Sequence, residues 1–150
     1  MQAGAAGWQE ATGRSRAALP RHQTLRTTIE WSHDLLADGE RTVLRRSCAF
    51  AGRFTLEDVE SVCTSEDVPA AQALDLLSSL VGKSLVMKED AKSLACYRLH
   101  ETMREFAALK LAEAGEQEAV ELRCAEYYRS RCRRSALEGN RLLECRADRW

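Results

Sequence analysis

The chain has 150 residues, of which 45% are hydrophobic and 30% charged, and a formal net charge of -1. That is enough apolar material for one sizeable core, and the near-neutral balance sets up no global field to gather nucleic acid or anionic lipid. No apolar run approaches the roughly 20 residues a membrane-spanning helix needs. The start, Met1-Gln2-Ala3-Gly4-Ala5-Ala6-Gly7-Trp8, has neither a basic leader nor a long apolar centre, so no signal peptide and a cytoplasmic location are expected.

Residues 1–20 are rich in Gly, Ala, Ser and Arg, show little periodicity, and read as a linker or disordered end closed by Pro20. From Thr24, a plausible N-cap, Leu25, Ile29, Ser32 and Leu36 fall on one helical face, with Trp31 as a core anchor and Asp38-Gly39 as the stop. A second helix is expected from about Glu40 to Phe50, burying Val43, Leu44, Cys48 and Phe50. Thr55 and Asp58 have the spacing of a capping box for a short third helix presenting Leu56, Val59, Val62 and Cys63.

Pro69 suits the first turn of a fourth helix with Ala73, Leu74, Leu77, Leu80 and Val81 on its apolar face and a stop near Gly82. Two short apolar runs follow, Ser84 to Met87 and Leu94 to Leu99, joined by the polar tip Lys88-Glu89-Asp90-Ala91-Lys92. The second passes directly into a fifth helix using Met103, Phe106, Ala107 and Leu111, ended by Ala114-Gly115. Beyond Glu116 the pattern is helical and dense in Arg and Glu, with a stripe of Val120, Cys124 and Tyr127. The expected fold is mainly α: a winged-helix domain, helices plus a two-stranded β-hairpin wing, over 21–115. The start of a TPR-like helical repeat is expected over 116–150.

Chemistry-bearing constellations are few. Gly82-Lys83-Ser84 resembles the end of a phosphate-binding loop, but Leu77 stands where the earlier glycine belongs. A helix precedes it and a strand follows, the reverse of what that loop needs, so it reads as a helix stop plus an exposed lysine. The histidines, His22, His33 and His100, include no pair at i, i+4 spacing, and the six cysteines (Cys48, Cys63, Cys96, Cys124, Cys132, Cys145) include no C-x-x-C. No metal site or disulfide framework is expected, only buried thiols. With no nucleophile elbow and scattered acids, the chain does not read as an enzyme.

A helix that reads DNA presents Arg, Lys, Asn or Gln to the groove. The helix ahead of the wing has no basic residue before Lys83, carries Asp75, and has surplus leucines at Leu76 and Leu77. Its surface suits protein packing, and direct nucleic-acid binding is not expected. Arg129, Arg131, Arg133 and Arg134 read as a solvated helix face paired to Glu126 and Glu138.

The run Arg21 to Leu36 resembles the segment after the nucleotide-binding core in actinobacterial STAND-class, NB-ARC-like predicted ATPases, often described as LuxR-family transcriptional regulators. Phe50-Ala51-Gly52-Arg53-Phe54-Thr55-Leu56-Glu57, Leu76 to Val86 and Tyr97 to Ala107 continue the likeness in order. The resemblance implies a winged-helix domain that packs on a nucleotide-binding domain, in cis or in trans, and gates its exchange of ADP for ATP. It places Leu99-His100-Glu101 at the family's Met-His-Asp motif, which makes His100 a sensor of the ADP phosphate once such a domain is supplied. A cap between strand and helix is the other reading of His100. No cofactor is implied for this chain itself; ADP and ATP belong to the parent architecture. The phosphate-binding loop is not in this chain, which is therefore expected to be a regulatory piece of a longer switch protein. The alternatives are a stand-alone DNA-binding winged-helix transcription factor and a helical-repeat interaction scaffold.

Overall fold

A computed structural model describes residues 10–91 and 94–138. Helix α1, Glu10–Asp34, begins well ahead of Thr24 and runs through Pro20. Ala11, Ala17, Ala18 and Leu19 are strong helix formers, and the helix carries Pro20 although the ring removes a ladder bond and crowds the preceding turn. Thr24 therefore lies mid-helix, where its carbonyl accepts the Thr28 hydroxyl at 2.9 Å. Trp31 is 76% exposed rather than a core anchor, and Leu35 is exposed with it, while Ile29 and Leu36 are buried. Residues 1–9 of the expected linker lie outside the described residues.

The chain divides into two compact units, the second beginning at Ala37. That unit contains α2 (Asp38–Arg46), a 3-10 turn (Ser47–Ala49), α3 (Leu56–Val62) and α4 (Ala73–Gly82). A hairpin of β1 (Met87–Ala91) and β2 (Leu94–Arg98) follows, then α5 (Glu101–Glu113) and α6 (Gln117–Glu138). Phe54 bridges Tyr97 in antiparallel fashion and adds a one-residue edge to the hairpin. Helix, bridge, helix, helix, hairpin is the order of a winged helix, and the fold is mainly α as expected.

Asp38-Gly39 opens α2 instead of ending α1. Asp38 and Glu40 put negative charge on the helix's positive end. Gly39 lies in a tight spot, since a Cβ there would come within 3.2 Å of the Leu76 side chain. The expected capping box is present: Asp58 N–H donates to Thr55 Oγ1 at 3.3 Å, and Thr55 N–H donates to Asp58 Oδ2 at 2.8 Å. Pro69 caps a separate 3-10 turn, Ala70–Gln72, ahead of α4.

Helix α4 ends at Gly82 as expected, but it is Ser84 and not the glycine that turns the chain out of it. Ser84 takes the left-handed conformation, φ 60°, and donates its N–H to Val81 O at 2.9 Å, while Leu85 N–H reaches Leu80 O at 3.0 Å. This Schellman closure brings the buried side chains Leu80 and Leu85 to the same helix end. It also takes Ser84, Leu85 and Val86 out of the strand, so β1 starts at Met87 and Lys88, Glu89 and Asp90 are strand residues rather than a tip. Gly115 (φ 69°) closes α5 in the same way and turns the chain into α6.

Val43, Leu44, Phe50, Val59, Val62, Cys63, Leu77, Leu80, Phe106 and Val120 form the core, with α2 against α4 and α5, and α3 against α4 and α6. Among the described residues, no buried side-chain nitrogen or oxygen lacks a partner. Helix α6 is fastened by ions as well as by Val120, Cys124 and Tyr127. Glu116, just ahead of it, takes Arg45 Nη2 and Arg46 Nε at 2.9 Å each. Arg46, only 5% exposed, also donates to Cys63 O at 2.8 Å and Ser65 Oγ at 3.0 Å. Arg123 donates to Thr64 O at 2.8 Å, and Arg131 pairs with the buried Asp58 of α3. Arg131 is thus a clasp rather than part of a solvated face, although Arg129, Arg133 and Arg134 are exposed.

Two outcomes follow from this chemistry. Ser84→Gly relieves a left-handed L-residue and should raise stability by about 1 kcal/mol, read as a higher urea midpoint at unchanged slope. The Arg46 and Arg45 guanidiniums hold the Glu116 carboxyl at about 2, below its ordinary 4.5. A lowered folded value means that this stabilisation is complete above pH 4.5 and drains away as the pH falls towards 2. Glu116→Gln should flatten the stability–pH curve over that interval; a curve as steep as the parent's would count against the pairing.

Candidate functional site

Strand β2 hands over to α5 at Leu99 and His100. His100 is the N-cap of α5 and is exposed; its carbonyl accepts Arg104 N–H at 2.8 Å, but its side chain makes no capping bond.

Beside this junction lies a cleft of about 280 Å³ whose walls include Arg53, Arg98, Arg104 and Glu101, with Gly52 and Leu99 between them. Packing of aromatic rings sets its shape. Phe50 stacks on Phe54 at 4.8 Å between centroids, and Phe54 on Tyr97 at 6.1 Å. Phe54 and Tyr97 also exchange backbone hydrogen bonds of 2.8 and 2.7 Å, which brings Arg53 across from Arg98. Like charges in directly opposed positions repel. Glu89 on β1 lies between them, 2.7 Å from Arg53 Nε and 2.8 Å from Arg98 Nε. Arg104, in the first turns of α5, pairs with Glu101 at 2.9 Å and donates to Ala51 O at 3.3 Å.

The helix ahead of the wing presents a different surface. Leu77 is fully buried, and Leu76 is half-buried with its side chain close to Gly39. What α4 exposes is Leu74, 49% accessible, with Asp75 and Ser78. Lys83 is not a loose surface lysine: its ammonium lies 2.6 Å from Oε1 of the buried Glu40, which also accepts the Ser79 hydroxyl. Burial alone would raise the Glu40 carboxyl, but the Lys83 and Ser79 hydrogen bonds outweigh it and hold the carboxyl below its ordinary value.

Cys63 and Cys124 are buried thiols, and Cys48 is half-buried. Burial pushes Cys63 up to about 12 and Cys48 up to about 11, so neither is a ready nucleophile at neutral pH. Among the described residues no group of His, Cys, Asp and Glu is arranged to hold a metal ion. Nor is any described helix long and apolar enough to cross a membrane. Cys145 lies outside the described residues.

The sequence pointed to His100 and the α4 surface but missed the three-arginine cleft. Arg53 is far in sequence from Arg98 and Arg104, and the Phe54–Tyr97 bridge, with the Arg104–Ala51 hydrogen bond, brings them together. No local pattern announces a one-residue bridge.

Over 116 residues the chain is 42% identical to the "Putative HTH-type transcriptional regulator Rv0890c" of Mycobacterium tuberculosis, a match covering 77% of this chain and 13% of that protein. The "Putative HTH-type transcriptional regulator Mb0914c" of Mycobacterium bovis matches to the same extent. The "Uncharacterized protein Rv0894" of Mycobacterium tuberculosis is 39% identical over 109 residues, covering 72% of this chain and 28% of that protein. The chain therefore spans only a small part of the length of these relatives. No family model matches, and no solved structure does.

Glu89 is the residue on which this end of the molecule should depend. Glu89→Gln leaves Arg53 and Arg98 opposed, and amide exchange at Cys96, Tyr97 and Arg98 should quicken. Global stability should fall by no more than about 1 kcal/mol, because the pairs are partly solvated. Unchanged protection in the hairpin would mean that the shared carboxylate does not hold it.

Proposed function

We propose that this chain is a non-catalytic, cytoplasmic winged-helix module of a transcriptional regulator, acting by contact with another folded domain rather than by reading DNA through α4. The observation that carries this reading is the exposed surface of α4. It offers Leu74, Asp75 and Ser78, and the nearest lysine is committed to Glu40. A duplex rewards cationic donors at that position. The regulator part of the reading is supported by the names of the relatives.

The finer assignment is to a STAND-class architecture, in which the module packs on a nucleotide-binding domain and gates the exchange of ADP for ATP. It rests on the ordered motifs from Arg21 to Ala107. His100 is then the group that reaches the phosphate of ADP held by that domain, and its exposure at a helix start, with no capping bond to satisfy, favours such a role. In this reading α6, pinned to α3 and α2, is an integral part of the module from which any following helices would extend.

A second reading, a DNA-binding winged helix, is favoured by the name that the mycobacterial relatives carry. The match covers 13% of their length, so the HTH-type element named there need not lie within it.

Titration of the chain with mixed-sequence duplex at low and raised salt separates the two. Domain contact predicts weak binding without a steep salt slope; tight binding that falls steeply with salt would overturn it. With the nucleotide-binding domain added, His100→Ala should speed ADP release about tenfold, the size of one charge-assisted hydrogen bond. Release at the parent rate would reject the sensor role.

A further inference from the structure

The cleft between the Phe50–Arg53 turn, the end of β2 and the start of α5 has no part in the reading above. Its walls carry three guanidiniums, Arg53, Arg98 and Arg104, and one carboxylate, Glu101. Two of the guanidiniums stand across from one another on the Phe54–Tyr97 bridge and share Glu89. The third stands in the first turns of α5, a 13-residue helix whose N-cap side chain makes no capping bond. The first-turn amides of that helix therefore receive no capping acceptor from His100, and they add to the positive potential of the same place.

We propose that this cleft is a binding site for a phosphate-class oxyanion, built by this chain alone from Arg53, Arg98 and Arg104 and separate from any nucleotide that His100 meets on another domain. The planar forks of Arg98 and Arg104 suit a tetrahedral oxyanion that accepts two bonds from each. The volume of about 280 Å³ leaves room beyond the phosphate for part of the molecule that carries it. An anion seated between Arg53 and Arg98 is attracted to both of these opposed guanidiniums and screens their mutual repulsion. Glu101 is the internal competitor: it holds Arg104 at 2.9 Å and gives up that contact when the ligand arrives. Inorganic phosphate and a phosphorylated small molecule share this chemistry, and the test separates them.

The full chain is titrated with inorganic phosphate, pyrophosphate and AMP at constant ionic strength, with chloride as the control, following backbone amide NMR signals. Saturable shifts centred on Gly52, Arg53 and Leu99 to Arg104 are expected with phosphate and absent with chloride. Equal affinity for phosphate and AMP assigns the site to the free ion; tighter binding of AMP assigns it to a phosphorylated small molecule. Arg98→Gln should weaken binding about tenfold, Arg98→Lys should lose less, and Glu101→Gln should tighten it. These opposite signs distinguish a ligand site from a general loss of folding. His100→Ala should leave phosphate binding as it is. Several results would overturn the proposal: no saturable shift, shifts that chloride reproduces, binding indifferent to Arg98 and Glu101, or binding abolished with His100, which would return the anion to the nucleotide contact. Duplex DNA producing the same shifts more tightly than AMP would overturn it too, by making a DNA backbone the source of the phosphate.

Discussion

The two backbone hydrogen bonds between Phe54 and Tyr97 decide the geometry of this end of the molecule. They are short, they run in both directions, and the rings of the two residues stack over them with Phe50 behind. Phe50 and Phe54 are both essentially buried, so the turn between them cannot slip without opening the core. A bridge of a single residue has little stability of its own. Its rigidity comes from the aromatic packing, worth more than area alone where rings are offset or tilted. From this anchor follow the place of the Ala51 carbonyl that receives Arg104, the opposition of Arg53 to Arg98, and the shared position of Glu89.

Ionic contacts do a second job at the α6 side. Arg46 and Asp58 are among the most buried charged groups of the described residues, at 5% and 3% exposure, and both partner elements outside their own helix. Charge pairs with little solvent gain less net stability than their Coulomb energy suggests, because desolvation opposes it, but losing one partner is costly. Such pairs act as a register: Glu116 must meet Arg45 and Arg46 while Arg131 meets Asp58, and only one placement of α6 satisfies both. An arginine-rich helix expected as a solvated surface is therefore seated in one position on α2 and α3.

Much of the fold was legible because it rests on local rules. The apolar stripes of α3 and α5, the Thr55–Asp58 capping box and the Gly115 stop each depend on residues within a few positions of one another. The failures have a common cause as well. Ser84 in a left-handed conformation, Gly39 opening α2, and Leu76 tucked against that glycine all depend on what lies across the core. A local pattern placed the stop of α4 near Gly82, where the helix does end, but it gave no sign of the left-handed Ser84 that lets Leu85 join Leu80 in the interior. The candidate site was half legible. His100 stood out as a polar residue at a strand-to-helix junction. The arginines around it belong to three segments, and their meeting depends on a tertiary bridge that has no period to detect.

Positive charge on a fold this close to neutral has to be placed somewhere, and where it is placed limits what the surface can meet. A winged helix that reads a groove concentrates cationic donors on the helix ahead of the wing. Here that helix shows Asp75, and Lys83 is spent on Glu40. Three arginines gather instead around the start of α5, two of them in opposed positions that repel. Partly solvated pairs such as these add on the order of 0–1 kcal/mol. Arg98 pairs with Glu89 while its side chain stays close to half exposed. In the proposed site a further anion would join this cluster. That anion would settle the two opposed guanidiniums and meet the uncapped end of α5, and it would do so without any change in the helices that form the core.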